Sequence, residues 1–135
     1  MAVEIVSEYT SDLSTKCVHL PSKAEIETTA PLDNGGKGTL FSPTDLLATA
    51  LGSCAITVMA KYAENEGISF KGSRVKVAKI MQKEPRKVIQ FNIDFNLPQQ
   101  IDAGNREKLQ EIARSCPAVL SLNPDITFNF SFTYE

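Results

Sequence analysis

The alternation of apolar and polar positions is cleanest near the carboxy-terminal end. In "ITFNFSFTY" the residues Ile126, Phe128, Phe130, Phe132 and Tyr134 occupy every second place, the period of a strand with one buried face. "KVIQFNIDFNL" repeats the pattern with Ile89, Phe91, Ile93 and Phe95, and "SRVKVAKIM" with Val75 and Val77 about Lys76. "QKEPRK" between these two reads as a hairpin connection that carries Arg86. Closer to the amino terminus "VEIV" alternates poorly. "TKCVHL" and "AEIETT" have strand composition, with Pro21, Ser22 and Lys23 as the turn between them.

A helical period takes over in two places. From Ser42 to Gly67 the apolar residues Leu46, Leu47, Ala50, Leu51, Ala55, Ile56, Val58, Met59, Tyr62 and Ala63 cover most of a helix circumference. Ser42 is a natural N-cap, Pro43 suits the first helical position, Asp45 completes a capping box, and Gly67 stops the run. The predicted helix has about 24 residues and is roughly 36 Å long. It needs cover on more than one side, which one small sheet cannot supply, so a second copy of the chain is the expected cover. A second helix is predicted over Ala103 to Ser115, with Leu109, Ile112, Ala113 and Cys116 at helical spacing. Pro117 cannot continue that ladder, so a break is expected around Cys116, with "PAVLSL" as a short turn. The order is strands, helix, two strands, helix, strand. It predicts one α+β domain over residues 1–135, with helices packed on a curved antiparallel sheet.

Composition narrows the function classes. With 42% apolar residues in 135, the chain can build a core without disulfides or metal. The net charge of −2 is scattered and offers no basic face for nucleic acid. The amino terminus has no apolar signal region. The uncharged run Leu46 to Ala60 is short for a bilayer span and is diluted by Thr49, Gly52, Ser53 and Thr57. A cytoplasmic protein with no nucleic-acid or membrane partner is expected. The loop "PLDNGGKGTLFSP" suggests a phosphate loop, but Lys37 is followed by Gly38 where that motif needs Ser or Thr.

Candidate chemistry rests on thiols. The cysteines are Cys17, Cys54 and Cys116, there is no CxxC pair, and His19 is the single histidine, a set unsuited to a zinc site. Each cysteine has a plain reading as a small buried hydrophobe. Two are marked by their surroundings. Cys54 lies in the middle of the apolar helix, and Cys116 lies 62 residues further on, at the proline break. Composition alone does not separate packing from reactivity.

"SPTDLLATALGSC" followed by "SCPAVLSL" at this distance resembles the OsmC/Ohr family, the osmotically induced proteins and organic hydroperoxide reductases. The resemblance runs from Ser42 to the end of the chain, and the order of elements agrees. It implies an intertwined homodimer with a long buried central helix, a second Cys-bearing helix and two sites at the interface. It also implies a chemistry. Cys54 would be the peroxidatic thiolate that takes an oxygen from a small hydrophobic hydroperoxide, Cys116 would close a disulfide with it, and an external dithiol reductant, lipoyl-type or other, would restore both. No metal or cofactor is implied. Family peroxidases resemble one another in holding an activating Arg with a Glu directly after the helix-starting Pro. Thr44 stands there in this chain, and the acid comes one place later, at Asp45. No Arg precedes Arg74. A divergent branch, with SPxE and an E-x-P-R-like hairpin, is more similar, matched here by "SPTD" and "EPRK". Arg86 is therefore the candidate cation and Asp45 its partner. Arg114, two residues before Cys116, is a third option, and Cys17 and His19 read as structural. The alternatives are a non-peroxidatic redox-sensing or small-ligand-binding protein that keeps the fold, and a purely structural dimer.

Overall fold

The computed structural model of the chain describes residues 1–135. They form two compact units, Met1–Leu47 and Ala48–Glu135. In the first, β1 (Ile5–Tyr9), β2 (Ser14–His19) and β3 (Glu25–Thr29) pair in chain order as an antiparallel sheet. The glycine-rich stretch after it folds back on itself. A Cβ on Gly36 would lie 1.8 Å from the Ala30 carbonyl oxygen, so only glycine permits that approach. The Gly36 amide donates to the Pro31 carbonyl at 2.9 Å and the Gly38 amide to that of Ala30 at 3.3 Å. These glycines have a local structural use.

Helix α1 (Pro43–Asn65) starts where the capping residues predict. The Ser42 hydroxyl accepts from the Asp45 amide at 3.0 Å, and the Asp45 carboxylate accepts from the Ser42 amide at 2.9 Å. Two donors of the first turn are thereby satisfied reciprocally.

In the second unit α1 is followed by β4 (Arg74–Gln82), β5 (Lys87–Leu97), α2 (Ala103–Arg114), α3 (Pro117–Ser121) and β6 (Thr127–Tyr134). The strands form a separate sheet in the order β4-β5-β6. The α+β class agrees with the sequence pattern, and three details differ from it. The expected antiparallel sheet is two three-stranded sheets, and β5 pairs with β6 in parallel. A tight hairpin joins β4 to β5, but α2 and α3 carry the chain back to the starting end of β5 before β6 begins, which makes that pair parallel. "PAVLSL" forms the short helix α3. Alternation in β5 is interrupted as well. Ile80 pairs with Gln90 but Met81 pairs with Val88, so Ile89 is the extra residue of a bulge. Val88 takes the buried side in its place, at 7% exposure.

The core is the stripe Leu51, Ala55, Met59 and Ala63 of α1, together with Phe91, Ile93, Phe95 and Leu97 of β5 and Leu109 and Ala113 of α2. Phe95 stacks on Phe132 with ring centres 4.9 Å apart. The helix is buried along this stripe and at Gly52, while Leu47 and Ala50 are exposed. The expectation of a helix buried all round is not met within one chain. By length and apolarity α1 alone would suffice to cross a bilayer, a test that core helices also pass.

Gly52 sets how near α1 comes to β4. A Cβ there would meet Val77 Cγ2 at 3.0 Å and Val75 Cγ1 at 3.3 Å. Gly52→Val should destabilise the fold by about 1–3 kcal/mol through overpacking. Gly52→Ala should cost less, because alanine regains helix propensity of about 1 kcal/mol. Denaturant unfolding of the two variants beside the parent checks the order.

Candidate functional site

Cys54, Val58 and Tyr62 repeat at four-residue spacing along the flank of α1 next to its core stripe. At one end of that flank the Tyr62 hydroxyl donates to Asn105 Oδ1 of α2 at 2.7 Å. At the other end Cys54 meets Cys116, which lies beyond the far end of α2. Helix α2 therefore runs antiparallel to α1, and its length spans the distance between the two contacts.

The joint after α2 fixes Cys116. Ser115 closes α2 with its amide on the Ile112 carbonyl at 3.3 Å and its hydroxyl on the Glu111 carbonyl at 3.0 Å. Cys116 is extended (φ −65°, ψ 153°) and is the N-cap of α3, whose first residue is Pro117. The sequence placed Cys116 at the end of the second helix; the structure places it between two helices, because Pro117 suits a helix start and not a helix interior. The side chain is 1% exposed, in the core with Leu109 and Ala113, while Cys54 is half-buried.

All three cysteines are free thiols. Burial pushes the Cys116 thiol above its ordinary value. The Cys54 sulfur adds to the rise by its charge and its hydrogen bond, while the amides of Val119 and Ala118 pull the other way. Cys116 is therefore a thiol that keeps its proton and can donate it toward Cys54. Two sulfurs in contact, one half-exposed and the other buried and protonated, have the parts for thiolate attack followed by disulfide closure.

The other candidates are placed by their own elements. Asp45 is in the capping box, in the first unit. Arg86 is exposed in the β4–β5 hairpin. Arg114 ends α2 with its guanidinium 5.1 Å from the centre of the Phe130 ring and 5.5 Å from that of Phe132. Cys17, in β2, accepts from the Ser7 hydroxyl at 3.3 Å. His19 Nδ1 pairs with the Ser22 hydroxyl at 2.6 Å and accepts from the Ser22 amide, a turn contact. No group of three or more His, Cys, Asp or Glu could hold a metal ion. A polar depression of about 480 Å³, lined by Arg74, Lys76, Asp94 and Glu135 among others, contains none of the candidates.

Two features escaped the sequence reading. Lys79 stands at the same parity as Val75, Val77 and Met81, hence on the half-buried side of β4 opposite Phe91. Tyr62 belongs to a chain that continues from Asn105 Nδ2 to Asp102 at 2.9 Å. Strand parity marked the first. The second had only the N-cap character of Asp102 to mark it.

The chain thus sets Cys54, on α1, against Cys116, at the joint between α2 and α3. The family model described as OsmC-like protein matches residues 36–131, and the chain belongs to that family. A crystallised protein of Psychrobacter arcticus 273-4, provisionally named an osmotic stress induced and detoxification response protein, is 38% identical, over 95% of this chain and 93% of that one, with a TM-score of 0.91. An organic hydroperoxide resistance protein OsmC from Legionella pneumophila shares the fold at 14% identity, with 98% and 97% coverage and a TM-score of 0.79. The organic hydroperoxide resistance protein OhrB of Bacillus subtilis does so at 12% identity, with 98% coverage of both chains and a TM-score of 0.68. No curated protein sequence matches the chain significantly.

The raised Cys116 value makes stability depend on pH. The folded state holds a proton that the unfolded chain releases, so stability is complete below the unfolded thiol range and falls as pH climbs toward the folded value. As pH rises past the ordinary thiol value of about 8.5, the reduced protein should lose stability from this group, by no more than about 1.4 kcal/mol per pH unit. Cys116→Ala should flatten that slope in urea unfolding under reductant; an unchanged slope would place the proton elsewhere.

Proposed function

We propose that the protein is a thiol-dependent peroxidase that reduces organic hydroperoxides to alcohols. The contact between the Cys54 and Cys116 thiols carries this reading. The Cys54 thiolate attacks the distal oxygen of ROOH, the O–O bond breaks, and the alkoxide leaves as ROH with a proton from Cys116 or solvent. Cys54 is then a sulfenic acid. The Cys116 sulfur displaces its hydroxyl, a Cys54–Cys116 disulfide forms, and water leaves. An external dithiol reduces the disulfide by exchange and is itself oxidised. The apolar surroundings favour hydrophobic hydroperoxides and keep water from the sulfenic acid. The cation that stabilises the Cys54 thiolate is assigned to Arg86, with Asp45 as its partner, or to Arg114. A cytoplasmic setting suits free thiols.

The test uses cumene hydroperoxide with a dihydrolipoyl-type reductant and hydrogen peroxide as the comparison. Cys54→Ser should keep the fold and lose turnover. Cys116→Ser should retain the first oxidation and then overoxidise at Cys54, read by mass spectrometry. Arg86→Met and Arg114→Met, compared by stopped flow, should show which cation speeds the first step. Full turnover in Cys54→Ser would end the peroxidase reading.

A second reading has one observation in its favour. Asp45 is already engaged at both ends of a capping box, while Thr44 holds the position where the family peroxidases are expected to have Glu. It makes the chain a non-peroxidatic redox sensor or small-ligand binder of the same fold. A Cys54 thiol inert toward an alkylating probe near neutral pH would select it.

We also infer a homodimer. Phe41 is 55% exposed, Leu120 74% and Leu47 39%, and α1 presents apolar positions beyond its core stripe. So many exposed large side chains call for a partner surface. Sedimentation at micromolar concentration should give twice the chain mass, and a clean monomer would remove the basis for an interface site.

A further inference from the structure

The face of α2 next to its core stripe carries Arg106, Gln110 and Arg114, four residues apart, and each touches an aromatic residue of β6. The Arg106 guanidinium lies 4.1 Å from the centre of the Tyr134 ring, and Gln110 Nε2 donates to the Tyr134 hydroxyl at 2.9 Å. Arg114 lies over Phe130 and Phe132, whose rings are parallel within 6°. From Arg106 to Arg114 the helix rises about 12 Å and from Tyr134 to Phe130 the strand spans about 13 Å, so the contacts run along both elements. Arg106 is held a second time, by Nε on the Ile101 carbonyl and by Nη2 on that of Gln99, each at 2.7 Å. The start of α2 is thus fastened several times over. Its end is fastened to β6 through Arg114 alone among these three residues. Arg114 is the last residue of the helix, and the two-residue joint that follows it delivers Cys116 to Cys54.

We propose that Arg114 is a positioning residue for the dithiol: lying over Phe130 and Phe132, it pins the end of α2 and so holds Cys116 within disulfide range of Cys54. The proposal deepens the peroxidase reading and rests on its pairing of Cys54 with Cys116. A disulfide needs Cα atoms within about 7 Å and a narrow range of dihedral angles, so a loosened joint lowers the effective concentration of one thiol at the other. A guanidinium acting merely as a charge near the sulfurs would do the reverse on removal. It would favour the thiolates, and its loss would shift the equilibrium toward the disulfide. The sign of the shift therefore separates positioning from charge stabilisation.

The experiment equilibrates the full chain with glutathione redox buffers at neutral pH and measures the Cys54–Cys116 disulfide by alkylation and peptide mass spectrometry. Arg114→Met should lower the equilibrium constant for disulfide formation about two- to fivefold, the range expected for an exposed cation–π contact. Arg114→Lys, which keeps a cation without flat stacking, should fall between Met and the parent. Urea unfolding of the reduced proteins runs alongside, since a general loss of stability would shift the unfolding midpoint and leave the disulfide constant unmoved. An unchanged constant in Arg114→Met, a shift toward the disulfide, or a parent that forms no such disulfide would each overturn the proposal. Peroxide is absent throughout, so the result stands apart from whether Cys54 is peroxidatic.

Discussion

Burial of one stripe of α1 against β5 is the constraint on which the second unit depends. Leu51, Ala55, Met59 and Ala63 are fully buried, and their spacing fixes the rotation of the helix about its axis. Gly52 is then turned to β4, where the absence of a side chain lets the helix approach the two valines. Cys54, Val58 and Tyr62 fall on the opposite flank, toward α2. A helix rotated by one residue position would bury a different stripe and turn Cys54 away from Cys116. The position of the first thiol is thus a consequence of core packing.

The second thiol depends on a different device. Pro117 ends the α2 ladder and opens α3, which leaves Cys116 at an extended joint facing the core. An ionised sulfur there would be poorly solvated, so burial keeps the proton on Cys116. This asymmetry suits a pair with divided roles. In the proposed peroxidase reading, the half-exposed Cys54 meets the hydroperoxide from outside, while Cys116 waits as a protonated donor and becomes a nucleophile only when it loses that proton. In the peroxidase reading, the same burial that holds Cys116 inert before oxidation also slows its attack on the sulfenic acid, so close contact has to compensate.

Much of this was legible in the sequence, for reasons that differ by element. The capping box of α1, the alternation of β6 and the breaking of α2 near Pro117 are local, and local rules read them. The bulge at Ile89 was not legible, because two-fold alternation from Ile89 to Phe95 fits a regular strand equally well; only pairing with Met81 shows that Val88 takes the buried side. The parallel pairing of β5 with β6 depends on where α2 and α3 return the chain, which strand composition does not encode. Both thiols were readable, since an apolar helix and a proline mark them, but the start of α3 after Cys116 was not. Lys79 was hidden by the attention given to Lys76, although its parity with Val75 and Val77 placed it on the half-buried side.

Arg114 shows why the charged groups were the hardest part. In the sequence it is a cation near a cysteine, and proximity alone suggests action on a thiolate. In the structure its guanidinium lies over two phenylalanine rings that alternation had already assigned to one side of β6. The ring faces attract the cation, so the side chain acts as a fastening whose effect reaches Cys116 through the backbone of the joint. Arg86, which motif spacing selected, stands exposed in the β4–β5 hairpin. Helix and strand periods predict which residues share a face. They do not predict which faces meet, and a cation's role depends on the face it meets.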